Sequence, residues 1–204
     1  MADQSSPPEK PRTSYHHGDL PGTLTEEAAR LLSEKGADGF SMREVARRAG
    51  VAVAAPSHHF GNAKGLLTSV ASCGFEALKS HQEAAMDGID DPEDRVIALC
   101  KTYVDMGRRH PGYAAVMFRW DLVEANDARY SAAAKGALDL LKSTVADAAP
   151  VAMEDEKIDD AAKALWAAMH GFVTLSLADG EPAARRIAFT VRTFLAGLRA
   201  EAEE

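Results

Sequence analysis

Apolar residues along this chain recur three and four positions apart, and no stretch alternates apolar and polar residues between turns. That spacing places them on one face of a helix, whereas a half-buried strand would alternate. The pattern predicts an all-α fold of about nine helices. Leu20, Leu24, Ala28, Leu31 and Leu32 form the first apolar face, with Asp19 as cap, Pro21 in the opening turn, and Gly36 and Gly39 as the stop. Ser41 and Glu44 match the capping box S-x-x-E and start a second helix, which turns Val45, Ala46 and Ala49 inward. Gly50 makes a tight turn, Val51 plugs the core, and "VAVAAPSHH" is the third helix, closed by Phe60.

A long fourth helix follows from Lys64 to about Met86, with Leu66, Leu67, Val70, Ala77, Leu78 and Ala85 on its apolar positions. Asp91 and Pro92 open a fifth helix, which Pro111 and Gly112 break, and "YAAVMFRW" begins a sixth. Asn126 caps a seventh that stops at Pro150. The last two run from Ile158 to Ala178 and from Pro182 to about Ala200, either side of a "DGEP" break.

Helices two and three, joined through a glycine, read as a helix-turn-helix, in which the second helix enters the major groove of DNA. The net charge of -8 changes that picture less than it first suggests. Residues 1–64 carry eight Lys/Arg and eight Asp/Glu, so the whole deficit lies in the remaining 140. Within 41–64, Arg43, Arg47, Arg48 and Lys64 face only Glu44, with His58 and His59 beside them. A locally basic module on an acidic body is compatible with nucleic acid.

Composition otherwise describes an ordinary globular protein, 46% hydrophobic and 26% charged. The opening "MADQSSPPEKPRTS" has no apolar core of a secretory signal and reads as a flexible tail over 1–14. Cys73 and Cys100 form no CxxC pair, which argues against a disulfide framework and for the cytoplasm. No run approaches 18 apolar residues, so no membrane span is expected.

The segment "YHHGDLPGTLTEEAARLLSEKGADGFSMREVARRAGV…HHFGNAKGLL", Tyr15 to about Leu67, resembles the DNA-binding domain of TetR/AcrR-type transcriptional regulators. "HPGYAAVMF" (His110 to Phe118) and "WAAMHGF" (Trp166 to Phe172) resemble the C-terminal domain of a subgroup named for its Trp-His-Gly pattern. The resemblance implies a homodimer whose C-terminal domain binds a small-molecule effector and thereby controls binding to double-stranded DNA at a palindromic operator. It divides the chain into a helix-turn-helix domain over 15–64 and a ligand-binding and dimerisation domain over 65–204.

Candidate DNA contacts follow. Ser41 and Arg43 can hold phosphates, Arg47 and Lys64 are further candidate contacts, and Ser57, His58 and His59 can reach base edges or backbone. The Val53 and Ala54 methyls can touch a thymine methyl. Three positions depart from the family pattern. Ala52 stands where a Ser or Thr usually caps the recognition helix, and Ser57 where Tyr often touches phosphate. Ala63 stands where a Lys is usual, with Lys64 displaced by one residue, about 100° around the helix. Weaker DNA binding is expected from these losses. A small-molecule-binding protein of the same fold, with DNA recognition weakened or lost, is the alternative.

In the C-terminal region Tyr103, Met106, Tyr113, Met117, Phe118, Trp120, Trp166, Met169 and Phe172 place large apolar groups on the central helices, and His110 and His170 add polar ones. Effector cavities are mostly apolar with a few polar groups. Without Phe118 and Phe172, this set is the candidate effector site, and its lack of charge points to a lipophilic or weakly polar compound. Leu165, Phe172, Leu175, Ile187, Val191, Phe194, Leu195 and Leu198 exceed what one stripe needs, so the last two helices are expected to form the dimer interface. No Glu or Asp has a His three residues later, and no H-E-x-x-H, G-x-S-x-G or Walker-type loop occurs. Neither an enzyme nor a metal or other cofactor is expected.

Overall fold

The computed structural model describes residues 19–150, 153–175 and 182–202. The expected tail, the Tyr15–Gly18 stretch and residues 179–181 of the expected break lie outside them. Nine helices and no strand occur among the described residues: α1 (Leu20–Lys35), α2 (Met42–Arg48), α3 (Ala55–Phe60), α4 (Ala63–Met86), α5 (Pro92–Arg109), α6 (Pro111–Met117), α7 (Ala128–Ala148), α8 (Asp155–Thr174) and α9 (Pro182–Glu201). None of them is long and apolar enough to cross a membrane.

Local chemistry sets most of the boundaries. The Asp19 carboxylate accepts from the Gly22 N–H at 2.9 Å, and that of Asp91 from the Asp94 N–H at 2.9 Å, each meeting a donor that the helix cannot satisfy itself. Asn62 caps α4 through the Gly65 N–H at 3.1 Å. Pro111 opens α6 instead of only ending α5, because its missing N–H costs nothing at the first position. The cap of α7 is Asp127, one residue later than expected, and its carboxylate takes the Tyr130 N–H at 2.8 Å. α8 ends at Thr174, ahead of the expected Ala178, with residues 176–181 outside the described set.

α3 is the largest correction. It starts at Ala55, four residues after Val51, because the Ala55 N–H bonds back to the Ala52 carbonyl in a turn first. Val53 and Ala54 therefore lie in that turn and at the helix boundary. Neither Ala52 nor Ala54 can supply a side-chain cap, and Pro56 sits in the first turn, where it is tolerated.

The core is one continuous cluster from Leu24 to Leu195. α5 runs through its middle, burying Val96, Ile97, Leu99, Cys100, Tyr103, Val104 and Met106 on more than one side. α4 links the two ends of the molecule: Leu66, Leu67 and Val70 pack in the α1–α3 region, and Phe75, Leu78 and Met86 pack deeper. Hydroxyls reinforce it. Thr25 and Ser69 share a hydrogen bond at 3.1 Å between α1 and α4, and buried Thr68 accepts from the Glu124 N–H at 2.8 Å. Arg129 of α7 grips Glu76 of α4 through two bonds of 2.9 and 2.8 Å.

The expected apolar face of α4 needs revision. Ala85 is exposed, whereas Gln82 is 3% exposed and takes the position in line with Phe75, Leu78 and Met86. The last two helices also differ from expectation. Leu165, Ile187, Val191 and Leu195 are buried in the protomer's own core, and Phe172, Phe194 and Leu198 lean on it. Among the described residues, the large apolar side chains left facing outward there are Leu175, 68% exposed, and Phe189, 70% exposed.

Candidate DNA interface and effector cavity

α2, the turn after it, α3 and the first turn of α4 present an open face. Ser41, Arg43, Arg47, Val53, Ala54, Ser57, His58, His59 and Lys64 are all exposed. Ser41, Arg43, Glu44, Arg47, Val51 and Val53 line a shallow cleft between the start of α2 and the turn before α3. Val53 is 61% exposed, a branched apolar side chain offered to solvent. The rings of His58 and His59 meet edge-on at 5.3 Å, so each limits the other's rotation at the end of α3.

The basic side chains are not equivalent. Arg48 bonds Glu34 of α1 at 2.8 and 2.7 Å and Glu44 at 3.2 Å, so it braces the module and adds little free positive charge. Arg47 bonds Glu44 at 2.8 and 2.7 Å. The Glu44 carboxylate is thus taken by two arginines, and the expected capping box is only half formed. Ser41 still accepts from the Glu44 N–H, at a long 3.5 Å. The Arg47 and Arg48 guanidiniums hold the Glu44 carboxyl down at about 2, and that of Arg48 lowers Glu34. Arg43 has no such partner among the described residues, which leaves its charge open to an anion.

Below this face lie two small apolar chambers, each of about 20 Å³. Phe75, Leu78, Gln82 and Leu99 wall the first, together with Cys100, Leu165, Trp166 and Met169. Met106, His110, Met117, Phe118 and His170 wall the second. Leu78 and Tyr103 belong to both, so Tyr103 stands between them. Its hydroxyl accepts from the Trp166 Nε1–H at 3.1 Å and shares a hydrogen bond with His170 Nδ1 at 3.0 Å. Burial pushes the Tyr103 phenol up to about 12, the Trp166 bond offsetting part of the shift. Phe118 packs edge-on against Phe75, Trp166 and His170 at 5.3, 5.4 and 5.1 Å, which fixes the partition from the other side.

Seven of the nine candidate effector residues thus reach the chambers: Tyr103, Met106, His110, Met117, Trp166, Met169 and His170. Two do not. Trp120 is 75% exposed beyond the end of α6, and Tyr113 lines an open polar cleft with Glu26, Arg30 and Arg109. Tyr113 lies on a face of α6 that helical periodicity alone cannot orient, and Trp120 falls in the turn after the helix, where the period no longer applies.

Two family comparisons bear on this arrangement. Residues 24–70 match the family described as bacterial regulatory proteins, tetR family. Residues 96–194 match the tetracyclin repressor-like C-terminal domain. The chain belongs to the TetR family. The description of the second match does not extend to a Trp-His-Gly subgroup. A curated relative, the HTH-type transcriptional regulator BetI of Rhizobium meliloti (strain 1021), is 33% identical over 78 residues, 38% of each chain. A solved protein of unknown function from Rhodococcus sp. RHA1 is 30% identical over 92% of this chain and 100% of that one, with a TM-score of 0.76. The TetR family transcriptional regulator PfmR from Thermus thermophilus shares the fold at 20% identity, over 86% and 98% of the two chains, with a TM-score of 0.65.

In this TetR-family regulator much of the chamber wall is not legible in the sequence. Leu99, Cys100 and Leu165 are aliphatic or small core residues, which carry no local mark of lining a space. Gln82 does carry one: it is a polar residue four positions from both Leu78 and Met86 on an otherwise apolar stripe.

Proposed function

We propose that this protein is a ligand-responsive transcriptional repressor of the cytoplasm, a homodimer that binds a palindromic operator and is released by a small apolar effector. One observation carries the reading: α4 packs at one end in the α1–α3 module and walls the effector chambers at the other. At about 20 Å³ a chamber accepts about one water, so an organic effector has to push its walls apart. Such an opening moves α4, and α4 carries the DNA-binding module with it. The effector then favours one spacing of the two modules over another, which is a shift between populations that requires unequal binding to them.

On DNA, Ser41, Arg43, Arg47 and Lys64 hold phosphates, while Ser57, His58 and His59 meet base edges or backbone. Val53 and Ala54 meet thymine methyls. Dimerisation through α8 and α9 sets two such faces about 34 Å apart along the duplex, which is the reason for a palindrome. Leu175, Phe189 and the small exposed residues Ala164, Ala167, Thr193 and Ala196 suit close packing of those helices against a second copy.

Selection of binding sites from a random duplex library, at two salt concentrations, tests the reading. An enriched palindrome, lost in the Arg43→Ala/His58→Ala variant, is the expected result. Operator affinity that stays unchanged at saturating effector would overturn the release mechanism. A second reading, a ligand-binding protein with little DNA affinity, is favoured by the commitment of Arg47 to Glu44 and by the uncapped α3. Failure to enrich any sequence even at low salt would favour it over the repressor reading.

A further inference from the structure

We infer that the effector of the first chamber is a neutral, largely apolar compound carrying one hydrogen-bond donor, a hydroxyl or an amide N–H, and that Gln82 Oε1 selects it. The inference rests on the effector reading of the chambers above. Gln82 is 3% exposed and lines the first chamber. Its Nε2 donates to the Leu99 carbonyl at 3.3 Å, while its Oε1 is buried with no partner among the described residues. The amide cannot gain by turning over, because Oε1 would then face the Leu99 carbonyl oxygen, acceptor against acceptor. A buried acceptor left unpaired is destabilising, and buried polar groups are paired in the great majority of cases. An apolar residue at 82 would complete the face formed by Phe75, Leu78 and Met86, so packing does not account for a glutamine here.

The other polar groups of the first chamber's wall are spent. Tyr103 already meets Trp166 and His170. Cys100 offers only a neutral thiol, its acidity suppressed by burial. Among the described residues no Lys, Arg, Asp or Glu lines either chamber, so a charged occupant would find no counter-charge. What remains is a single acceptor in an apolar space, complementary to a single donor on a neutral molecule. The first chamber, which Gln82 lines, takes about one water, and a donor on the effector would replace that water.

The test uses the full chain with Trp120→Phe, which removes an exposed indole and leaves Trp166 in the chamber wall as the reporter. Three probes are titrated by calorimetry and Trp166 emission: para-propylphenol, propylbenzene, which lacks the donor, and para-propylbenzoate, which is charged. The phenol is expected to bind about tenfold more tightly than propylbenzene, as one net hydrogen bond implies, and the benzoate not to bind. Gln82→Leu, which extends the apolar face and keeps the fold, is expected to erase the preference while still binding propylbenzene. Equal affinities in the unmodified cavity, or a preference that survives Gln82→Leu, would overturn the role of Gln82 and leave the effector cavity standing. Absence of binding by all three probes would overturn both.

Discussion

Gly112, at the second position of α6, lies so close beneath α1 that a Cβ added there would sit 1.9 Å from the Ala29 carbonyl oxygen. Backbone meets backbone at that point, with the Ser33 hydroxyl 2.5 Å from the same position. A rigid contact of this kind joins the C-terminal region directly to the first helix of the DNA-binding module.

Gly112→Ala is therefore expected to destabilise the protein by about 1–3 kcal/mol, the usual range for overpacking, and to weaken operator binding. Gly136→Ala in α7 is the matched control, since its Cβ would meet only the flexible end of Lys79 at 3.6 Å. That substitution is expected to stabilise by about 0.5–1 kcal/mol through helix propensity. Chemical unfolding of both variants checks the opposite signs.

The Glu34–Arg48–Glu44–Arg47 cluster predicts an acid-sensitive module. Glu44 titrates at about 2 in the folded chain against an ordinary 4.5, so its pairing stabilises fully above 4.5 and is lost as pH falls toward 2. The unfolding midpoint should fall across that window in the parent protein. Arg48→Met should weaken that dependence, since it frees Glu34 and removes one of the two cations on Glu44 while the Arg47 pair, the larger cause, remains, as thermal unfolding across the window would show.

Burial raises the Cys100 thiol to about 12, so almost none of it is thiolate at neutral pH. Cys73 is only half-buried, with its sulfur 3.3 Å from Arg129. A thiol reagent should modify one cysteine of the native protein, Cys73, and reach Cys100 only on unfolding. Peptide mapping of the labelled site decides the point, and early labelling of Cys100 would contradict its burial.

Leu175→Asp/Phe189→Asp should leave the fold intact, because both side chains are largely exposed in the protomer. Light scattering should report a monomer, and operator affinity should fall with it as the second half-site is lost. A variant that remains dimeric would move the interface away from α8 and α9.

Much of the helical frame was legible because its signals are local. Asp19, Ser41, Asp91 and the prolines act within one turn of themselves, and the 3/4 spacing needs no partner. Local signals failed where two were adjacent. Asn126 and Asp127 can both cap, and the backbone chose Asp127. "VAVAAPSHH" contains no side chain that caps its start, so nothing in it marks where the turn gives way to helix.

The sequence by itself determined the order of the nine helices among the described residues, the helix-turn-helix, and the apolar character of the C-terminal interior, because composition and period act along the chain. Only the tertiary structure decided that Gln82 is inside and Ala85 outside, that Arg48 reaches Glu34 across to α1, and that Tyr103 divides the interior in two. Helical periodicity establishes that a stripe exists, but its direction depends on which helices cover it. Ion pairs and cavities depend on those same neighbours, which are distant in sequence and meet only when the helices pack.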